Sequence, residues 1–571
     1  MKTNATKLGL LAFLVLLFNC KQEQFPSIYL NQIGFTPKAV KQAFVSGDVN
    51  TNEFNLLNPV SNEIVYTGVL SDLKEWSFSG TSVRIADFSD FQESGKYTLE
   101  IGNTKKEIII DNTINSDIGL AALKTYYLAR ASEPILDKHA GIYARTLGHP
   151  DTEIKIHASA ASASKPEGTV ISSPGGWYDA GDYNKYIVNS GVTMHTLLQL
   201  YELYPDYWTN LKLDIPESHN TIPDLLDEIL INLRWMLTMQ DEEDGGVYHK
   251  LTSLSFCGMV QPHEDNLERY VVAKSTAAAL DFAAVTSKSY RILSKFEEEL
   301  PGLADSCLIA AKKAWEWTEK NPDVLYLQPK DISTGAYDDT NIEDEKYWAA
   351  NELYLSTKDE NYLNNISYTS VYEAPHWSKV GALGYFSWFG KENDIENEFE
   401  KDKFKVVNQK LIKSADRYYE TYSKSAFKTS IDSFAWGSNS DVANHGVLFI
   451  HAYKATGEKK YLDAAESNLN YLLGGNPLDM CFVTGFGVNS PKHVHDRRCS
   501  SDTIPEPIPG LLVGGPNKQA RADCGEENYL SSYPALSYLD MECSYATNEI
   551  AINWNAPLAF LIHSIEAEKS K

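Results

Sequence analysis

The chain changes texture near residue 115. Upstream, from residue 26 to about 112, apolar residues come in short alternating runs: QAFVSG, EFNLLN, EIVYTG, SVRIAD, KYTLEIG and KEIIID, punctuated by Gly, Asn, Asp and Ser. Alternation turns one face of each run to a core and the other to water, and regular turn residues fold such runs back on one another. This segment predicts a small β-sandwich. Downstream the apolar residues fall at helical spacing over much longer runs, among them IGLAALKTYYLARAS, PDLLDEILINLRWMLTMQD, RYVVAKSTAAALDFAAVTS and HGVLFIHAYKAT. Thr221, Pro223 and Asp224 predict a capping-box start for one of these helices. Residues 353–363 (LYLSTKDENYL) echo residues 452–462 (AYKATGEKKYL), each ending one helix, turning and starting another with Tyr-Leu. Repeated helical hairpins predict a bundle or an α/α toroid, mainly α overall, whose loops and any site lie at the barrel mouth.

A leader precedes both parts. Lys2 and Lys7 give a positive start ahead of an almost wholly apolar run over residues 8–18, and Cys20 follows at LFNC. The run is too short to span a bilayer comfortably and has signal-peptide proportions. It resembles a bacterial lipoprotein signal, in which Cys20 is lipidated; an ordinary cleaved signal with an incidental Cys is the alternative. The expected organisation is a leader over 1–20, the sandwich over 26–112 and a helical domain over 115–571. The expected location is the outer membrane of a Gram-negative cell, held by a lipid anchor. A net charge of −26 over 571 residues repels phosphate backbones and argues against nucleic acid as a partner, but not against a neutral polymer. The other six cysteines make no CxxC pair, which excludes a zinc ribbon or redox motif. Export permits disulfides, and Cys524 with Cys543, flanking a short loop, is the best pair. Cys257, Cys307 and Cys481 sit in apolar surroundings and read as buried thiols.

Three stretches carry chemistry. GGWYDAGDYNKY (175–186) places Asp179 and Asp182 among glycines and aromatics on a loop leading into a helix; calcium ligation or helix capping would use the same acids. CFVTGFGVNSPKHVHDRR (481–498) holds His493, His495, Arg497 and Arg498, where His495 and Arg497, two apart, project to one side and can donate to hydroxyls. A structural loop with surface-paired arginines is the alternative. SYLDMECSYATNEIAINWNAPLAF (537–560) places Glu549 among Ala, Ile and Trp, where burial raises a carboxyl toward the range of a general acid. The rival reading is a glutamate favoured by a helix dipole.

Together the three resemble glycoside hydrolase family 9, the family of many cellulases. Val483, Thr484, Gly487, Asn489, Val494, His495 and Arg497 fit one family signature, with Cys481 as the departure; Tyr538, Asp540, Tyr545, Glu549, Ala551, Asn555 and Ala556 fit the second. The β-region, from YLNQIGF at residue 29, is similar to the immunoglobulin-like module that often precedes these domains. The resemblance implies an (α/α)6 barrel with an open cleft and an inverting mechanism. In it Asp182 is the base that activates water, Asp179 helps hold the water and Glu549 is the acid. His495 and Arg497 bind sugar hydroxyls, Tyr545 and Trp177 shape the cleft, and Asp540 supports Glu549. The aromatics of the Asp179 loop would line the floor, and its glycines would let the sugar approach. Asp496, where the family usually has His, either alters subsite preference or pairs with Arg498. The family's structural zinc is not expected, because ARAS (129–132) and LGHPD (147–151) keep only His149. Calcium is implied at Asp344 and Glu345, with residues 334–339 (TGAYDD) as added ligands; acidic capping of that helix is the alternative.

The leading function is therefore an endo-acting β-1,4-glucanase working as a monomer on cellulose-like chains, xyloglucan or mixed-linkage glucan, with no cofactor needed for the chemistry. The alternatives are an exo-acting β-glucosidase or glucosaminidase, and a non-catalytic glycan-binding lipoprotein. Retention of Asp179, Asp182 and Glu549 together argues against the last.

Overall fold

The structure, a computed structural model, describes residues 26–364, 374–389, 395, 397–519 and 523–569. Cys20 and the leader lie outside the described residues. Eight strands form the N-terminal sandwich: β1 (Ser27–Tyr29), β2 (Gln42–Ser46), β3 (Glu53–Leu57), β4 (Ile64–Val69), β5 (Lys74–Trp76), β6 (Thr81–Asp87), β7 (Gly95–Ile101) and β8 (Thr104–Ile110). They pair into two antiparallel sheets, ordered β1-β2-β6-β5 and β4-β3-β7-β8. The alternating residues meet between the sheets: Phe54, Leu56, Leu99, Ile101 and Ile108 face Ile28, Ala43, Val45 and Ala86.

Helices follow from Ser116. An inner ring is built by Ile187–Leu203, Thr276–Leu293, Glu343–Thr357, the short Gly381–Phe386, Ser438–Thr456 and Ile552–Lys569, each packed on the next and the last on the first. Outside it lie Ser116–Ala129, Asp224–Thr238, Leu303–Lys320, Glu398–Lys424 and Lys459–Leu472. The division follows the side chains. The Ile187–Leu203 and Thr276–Leu293 helices are buried almost throughout, whereas Leu303–Lys320 buries one stripe. A helix buried on every side belongs inside, and an amphipathic one outside. This is the (α/α)6 barrel. The sequence echo is a real structural repeat at its turns. Lys358 and Gly457 each end an inner helix in the left-handed region (φ 58° and 70°), and their N–H groups reach Tyr354 O and Tyr453 O at 2.7 Å.

One local expectation is overturned. Thr221 does not cap the Asp224–Thr238 helix: Pro223 stands at the N-cap, and the Thr221 hydroxyl donates to Glu299 at 3.1 Å. Asp224 instead accepts from Leu213 N at 2.8 Å and from the Ser218 hydroxyl, so it ties the preceding loop rather than closing a box.

The sandwich and barrel share a joint. Phe44, Trp76 and Val83 belong to the barrel's hydrophobic core, with the Trp76 ring 5.1 Å from Phe427 and 6.0 Å from Phe434. Truncating a buried indole costs about 3–5 kcal/mol, so this contact makes the joint a packed interface rather than a hinge. A small sheet at the barrel mouth, ordered β10-β9-β13-β12-β11, is made of β9 (Ile154–Ile156), β10 (Val170–Ile171), β11 (Lys185–Tyr186), β12 (Lys250–Thr252) and β13 (Tyr270–Val271). It fixes the end of the loop that bears Asp179 and Asp182.

Candidate active site

The loop 175–186 is anchored from beneath by its aromatics. Trp177 is fully buried, its ring 4.7 Å from Tyr126 and its Nε1 donating to Glu228 at 2.8 Å. Tyr178 and Tyr183 are also buried, in a cluster with Ala131. Trp177 is therefore not a substrate-binding residue, and none of the three lines the cleft: a ring among glycines faces whichever side excludes water, here the core. The glycine expectation changes likewise. A Cβ on Gly181 would stand 2.3 Å from the carbonyl oxygen of His495, so glycine there serves the close approach of a second backbone, not of a sugar.

That second backbone comes from the His-Arg stretch, and a third from the Glu549 stretch. Main-chain bonds join all three: Arg497 N to Gly181 O (3.2 Å), His495 N to Asn548 O (2.9 Å), Ile552 N to Asp179 O (2.9 Å) and Gly514 N to Glu549 O (2.9 Å). Asp179, Asp182, His495, Arg497, Tyr545 and Glu549 all line one cleft of about 1000 Å³.

Each side chain has a defined setting. Asp179 accepts from the Asn189 amide at 2.5 Å and from the Tyr337 hydroxyl at 2.8 Å. Asp182 accepts at Oδ2 from the Tyr186 hydroxyl at 3.1 Å and from the Asn184 amide, which leaves its Oδ1 without a protein donor among the described residues. Burial, then the neighbouring Asp182, pushes Asp179 well above the carboxylate range. A pair this close carries one negative charge more readily than two. Burial and the charges of Asp182 and Asp179 also raise Glu549 well above the ordinary glutamate range, against a smaller opposing pull from Arg497. A glutamate raised in this way across from a carboxyl pair is placed to act as an acid opposite a base.

The remaining expected residues divide. His495 gives its Nδ1 proton to Glu542 O at 2.7 Å, and burial keeps the ring neutral, so Nε2 is left as an acceptor, not a donor, for a sugar hydroxyl. Arg497 donates to Gly181 O at 2.6 Å and to Cys257 O at 3.2 Å, bracing the Asp179 loop as well as edging the cleft. Asp540 touches neither substrate space nor Glu549 directly. Its oxygens accept from Lys492 N (2.8 Å), His493 N (2.9 Å) and the Asn548 amide (3.0 Å), holding the His-Arg stretch to the residue before Glu549. Asp496 is buried and pairs with Arg498 at 2.9 Å. Tyr545, 41% exposed, stacks 5.6 Å from Trp436, 46% exposed, and the two form an open aromatic platform in the cleft. His149 is engaged on both ring nitrogens, by Tyr178 at 2.8 Å and Asp265 at 3.1 Å.

Tyr337, Asn189, Tyr186, Asn184 and Trp436 were not singled out in the sequence as site residues. Tyr186 and Asn184 lie inside the quoted loop and could have been; Asn189 sits in the helix just beyond it. Tyr337 was assigned to the calcium segment 334–339, but that segment is divided. Thr334 bonds Lys250 and Thr252, Tyr337 bonds Asp179, and only Asp339 lies with Asp344 and Glu345. Asp344 accepts from Val380 N at 2.8 Å. Both oxygens of Glu345 and of Asp281, and Oδ2 of Asp339, are buried without a donor. Such an acidic, dehydrated, oxygen-only cluster suits a hard divalent cation, although no three His, Cys, Asp or Glu side chains among the described residues converge tightly enough to cage one unaided. Elsewhere Cys524 and Cys543 form a disulfide with a Cα–Cα distance of 5.3 Å. Cys307 and Cys481 are buried thiols, whereas Cys257 is only half-buried.

A buried, raised glutamate facing a carboxyl pair over a trough of aromatic rings is what cleavage of a glycosidic bond requires, and the class is thereby glycoside hydrolase. Residues 118–562 match the model of glycosyl hydrolase family 9, and residues 23–106 match that of the cellulase N-terminal ig-like domain. The chain is 43% identical over 560 residues to the xyloglucan-specific endo-beta-1,4-glucanase BoGH9A of Bacteroides ovatus, covering 95% of this chain and 94% of that protein. It is 32% identical to endoglucanase D of Acetivibrio thermocellus, covering 94% and 83%. Among solved structures, a Bacteroides ovatus protein of this family superposes with a TM-score of 0.89 at 43% identity, covering 95% of this chain and 99% of that one. A thermostable endoglucanase from Alicyclobacillus acidocaldarius gives 0.84 at 26% identity, with the same coverage. The chain belongs to glycosyl hydrolase family 9.

The Tyr337 hydroxyl stabilises the anionic form of Asp179, so removing it favours the proton. Tyr337→Phe is expected to shift the pH profile of kcat/KM to higher pH and to lower kcat about 10-fold, the scale of one lost hydrogen bond to a charged group. Initial rates on a β-glucan across pH 4–9 check both the size and the sign.

Proposed function

We propose that this chain is an inverting endo-β-1,4-glucanase whose substrate is a soluble, branched glucan of the xyloglucan type. The observation that carries the reading is Glu549, raised by burial and by the carboxyl pair across one open cleft. In the reaction Asp182 takes a proton from water at its undonated oxygen, with Asp179 fixed beside it. The water attacks the anomeric carbon from one face, while Glu549 protonates the glycosidic oxygen leaving from the other. His495 Nε2 accepts from a sugar hydroxyl, and Trp436 with Tyr545 offers ring faces to the pyranose. The name of the Bacteroides ovatus relative supports the branched substrate. Glu549→Gln is expected to lower kcat by about 10²–10⁴-fold. The test follows product length over time on xyloglucan, barley β-glucan, carboxymethylcellulose and cello- and chito-oligosaccharides. Early mixed-length products that appear first as the α-anomer support the proposal. Release of monosaccharide alone from short oligomers replaces it with an exo-enzyme, and no mutant-sensitive cleavage overturns it.

We also propose a structural calcium ion held by Asp344, Glu345, Asp339 and Asp281. The buried carboxylate oxygens of Glu345, Asp281 and Asp339 that have no hydrogen-bond donor support this reading. The ion would neutralise a buried acidic cluster and tie the Glu343–Thr357 helix to its neighbours, without touching the substrate. Chelation should lower the thermal unfolding midpoint and calcium should restore it; in Glu345→Gln the chelator should have little further effect. Equal midpoints with and without chelator in the wild type would discard the ion.

We further propose a lipid anchor at Cys20, supported by LFNC after a short apolar run. Radiolabelled palmitate should enter the wild-type protein in its native cell but not Cys20→Ser, which should leave the membrane fraction. Labelling that survives the substitution would leave the segment an ordinary signal.

A further inference from the structure

Lys250 is buried, yet its ammonium forms no ion pair among the described residues. It differs in this from Lys185 and Lys288, also buried, which pair at 2.7 Å with Asp151 and Glu202. Its acceptors are neutral: the Gly335 carbonyl at 2.5 Å, and the Thr334 hydroxyl and Gln328 side-chain oxygen at 3.1 Å. A dehydrated cation without a counter-ion is costly, so something else must justify its place.

Its surroundings supply the reason. Lys250 on β12 stands opposite Tyr186 on β11, and its Nζ lies 5.5 Å from the Tyr186 ring. The Tyr186 ring in turn meets the Tyr337 ring at 4.6 Å. A Cβ on Gly335 would come within 3.2 Å of the Tyr186 hydroxyl, which shows how closely this strand and the segment ahead of Tyr337 are pressed together. The two tyrosines are the hydroxyl donors of the site, Tyr186 to Asp182 and Tyr337 to Asp179. One ammonium thus ties down the chain that carries one donor while lying under the ring of the other. The ionisable groups facing it are Asp182 and Asp338, which attract it, the Tyr326 and Tyr186 rings, and the adjacent His249.

We infer that Lys250 is a positioning residue for the carboxyl pair: it orders the Tyr186 and Tyr337 donors and sets an ammonium facing Asp182. The inference rests on the hydrolase reading of Asp179, Asp182 and Glu549. Burial lowers Lys250 and the facing Asp182 pulls it back up, so the ammonium and that carboxylate favour each other's charged forms.

The test is Lys250→Met, which removes the charge and keeps much of the length. Rates on the best glucan are normalised to the folded fraction measured by thermal unfolding. The expected result is a fall in kcat of about 10-fold or more, a KM within about twofold, and an acid limb of the kcat/KM profile moved up by about half a pH unit or more, because loss of a cation and of ordered donors both favour protonated carboxyls. Thr334→Val, which deletes one acceptor and keeps the shape, should move the limb the same way by less, and decides the matter if Lys250→Met does not fold. A wild-type enzyme with no glucanase activity would overturn the hydrolase reading beneath the inference. An active wild type whose variants keep its kcat and pH profile, or lose rate only with the folded fraction, would overturn the inference alone and leave Lys250 a structural residue.

Discussion

The active site depends on a seam of main-chain hydrogen bonds. Asp179 and Glu549 lie at opposite ends of the helical domain's sequence, and a side-chain contact between such distant loops would not hold an acid and a base in fixed relation. The backbone does so instead. Residues 180 and 551, 495 and 549, and 513 and 550 bridge one another like fragments of a sheet. Because the bridges flank each catalytic residue, the carboxyls inherit the rigidity of a ladder while sitting on loops. The inner barrel makes the seam affordable: Ile552–Lys569 follows Glu549 almost at once, and Ile187–Leu203 follows the Asp182 loop, so these two strands of the seam are each anchored by a neighbouring inner helix.

Into this frame the protein packs three carboxyls, and burial pushes Asp179 and Glu549 toward their neutral forms. The site opposes that tendency unevenly. Asp179 receives two side-chain donors, whereas Glu549 has the charge of Arg497 and the Gly181 N–H to favour its ionised form. The balance therefore favours a proton on the glutamate. Arg497 is turned mainly to carbonyls, where it secures the loop without fully cancelling the rise in Glu549 that an acid catalyst needs.

What could be read from the sequence follows the range of the interactions. The two periodicities are local, and they placed the sandwich and the helices. Asp179, Asp182, His495, Tyr545 and Glu549 stood out because they sit in dense, unusual stretches, and the structure gathers them in one cleft. Trp177, Tyr178 and Tyr183 lie in the same stretch and were assigned to the wrong side: spacing says that an aromatic is buried or half-buried, but not against what. Tyr337 and Trp436 show the converse. Each reaches the cleft from a segment with no local mark of catalysis, and only the closed barrel brings them there. The Thr221 cap failed for a related reason, since Asp224 found better donors in a loop that the local pattern does not see.

The sandwich has a part in this arrangement that its lack of chemistry conceals. Gln32, between β1 and β2, accepts from Val488 N at 2.8 Å and Asn489 N at 2.9 Å, and donates to Asp479 O at 2.7 Å. Lys106 on β8 pairs with the Asp479 carboxylate at 2.9 Å. These contacts grip the stretch that runs on to His495, on the side away from the cleft. Asp540 holds the same stretch from the Glu549 side. The His495 segment is thus fixed from both flanks, one of them in another domain. An open cleft that must admit a polymer cannot use a closing lid to order its loops, and an immobile second domain behind them supplies that order instead.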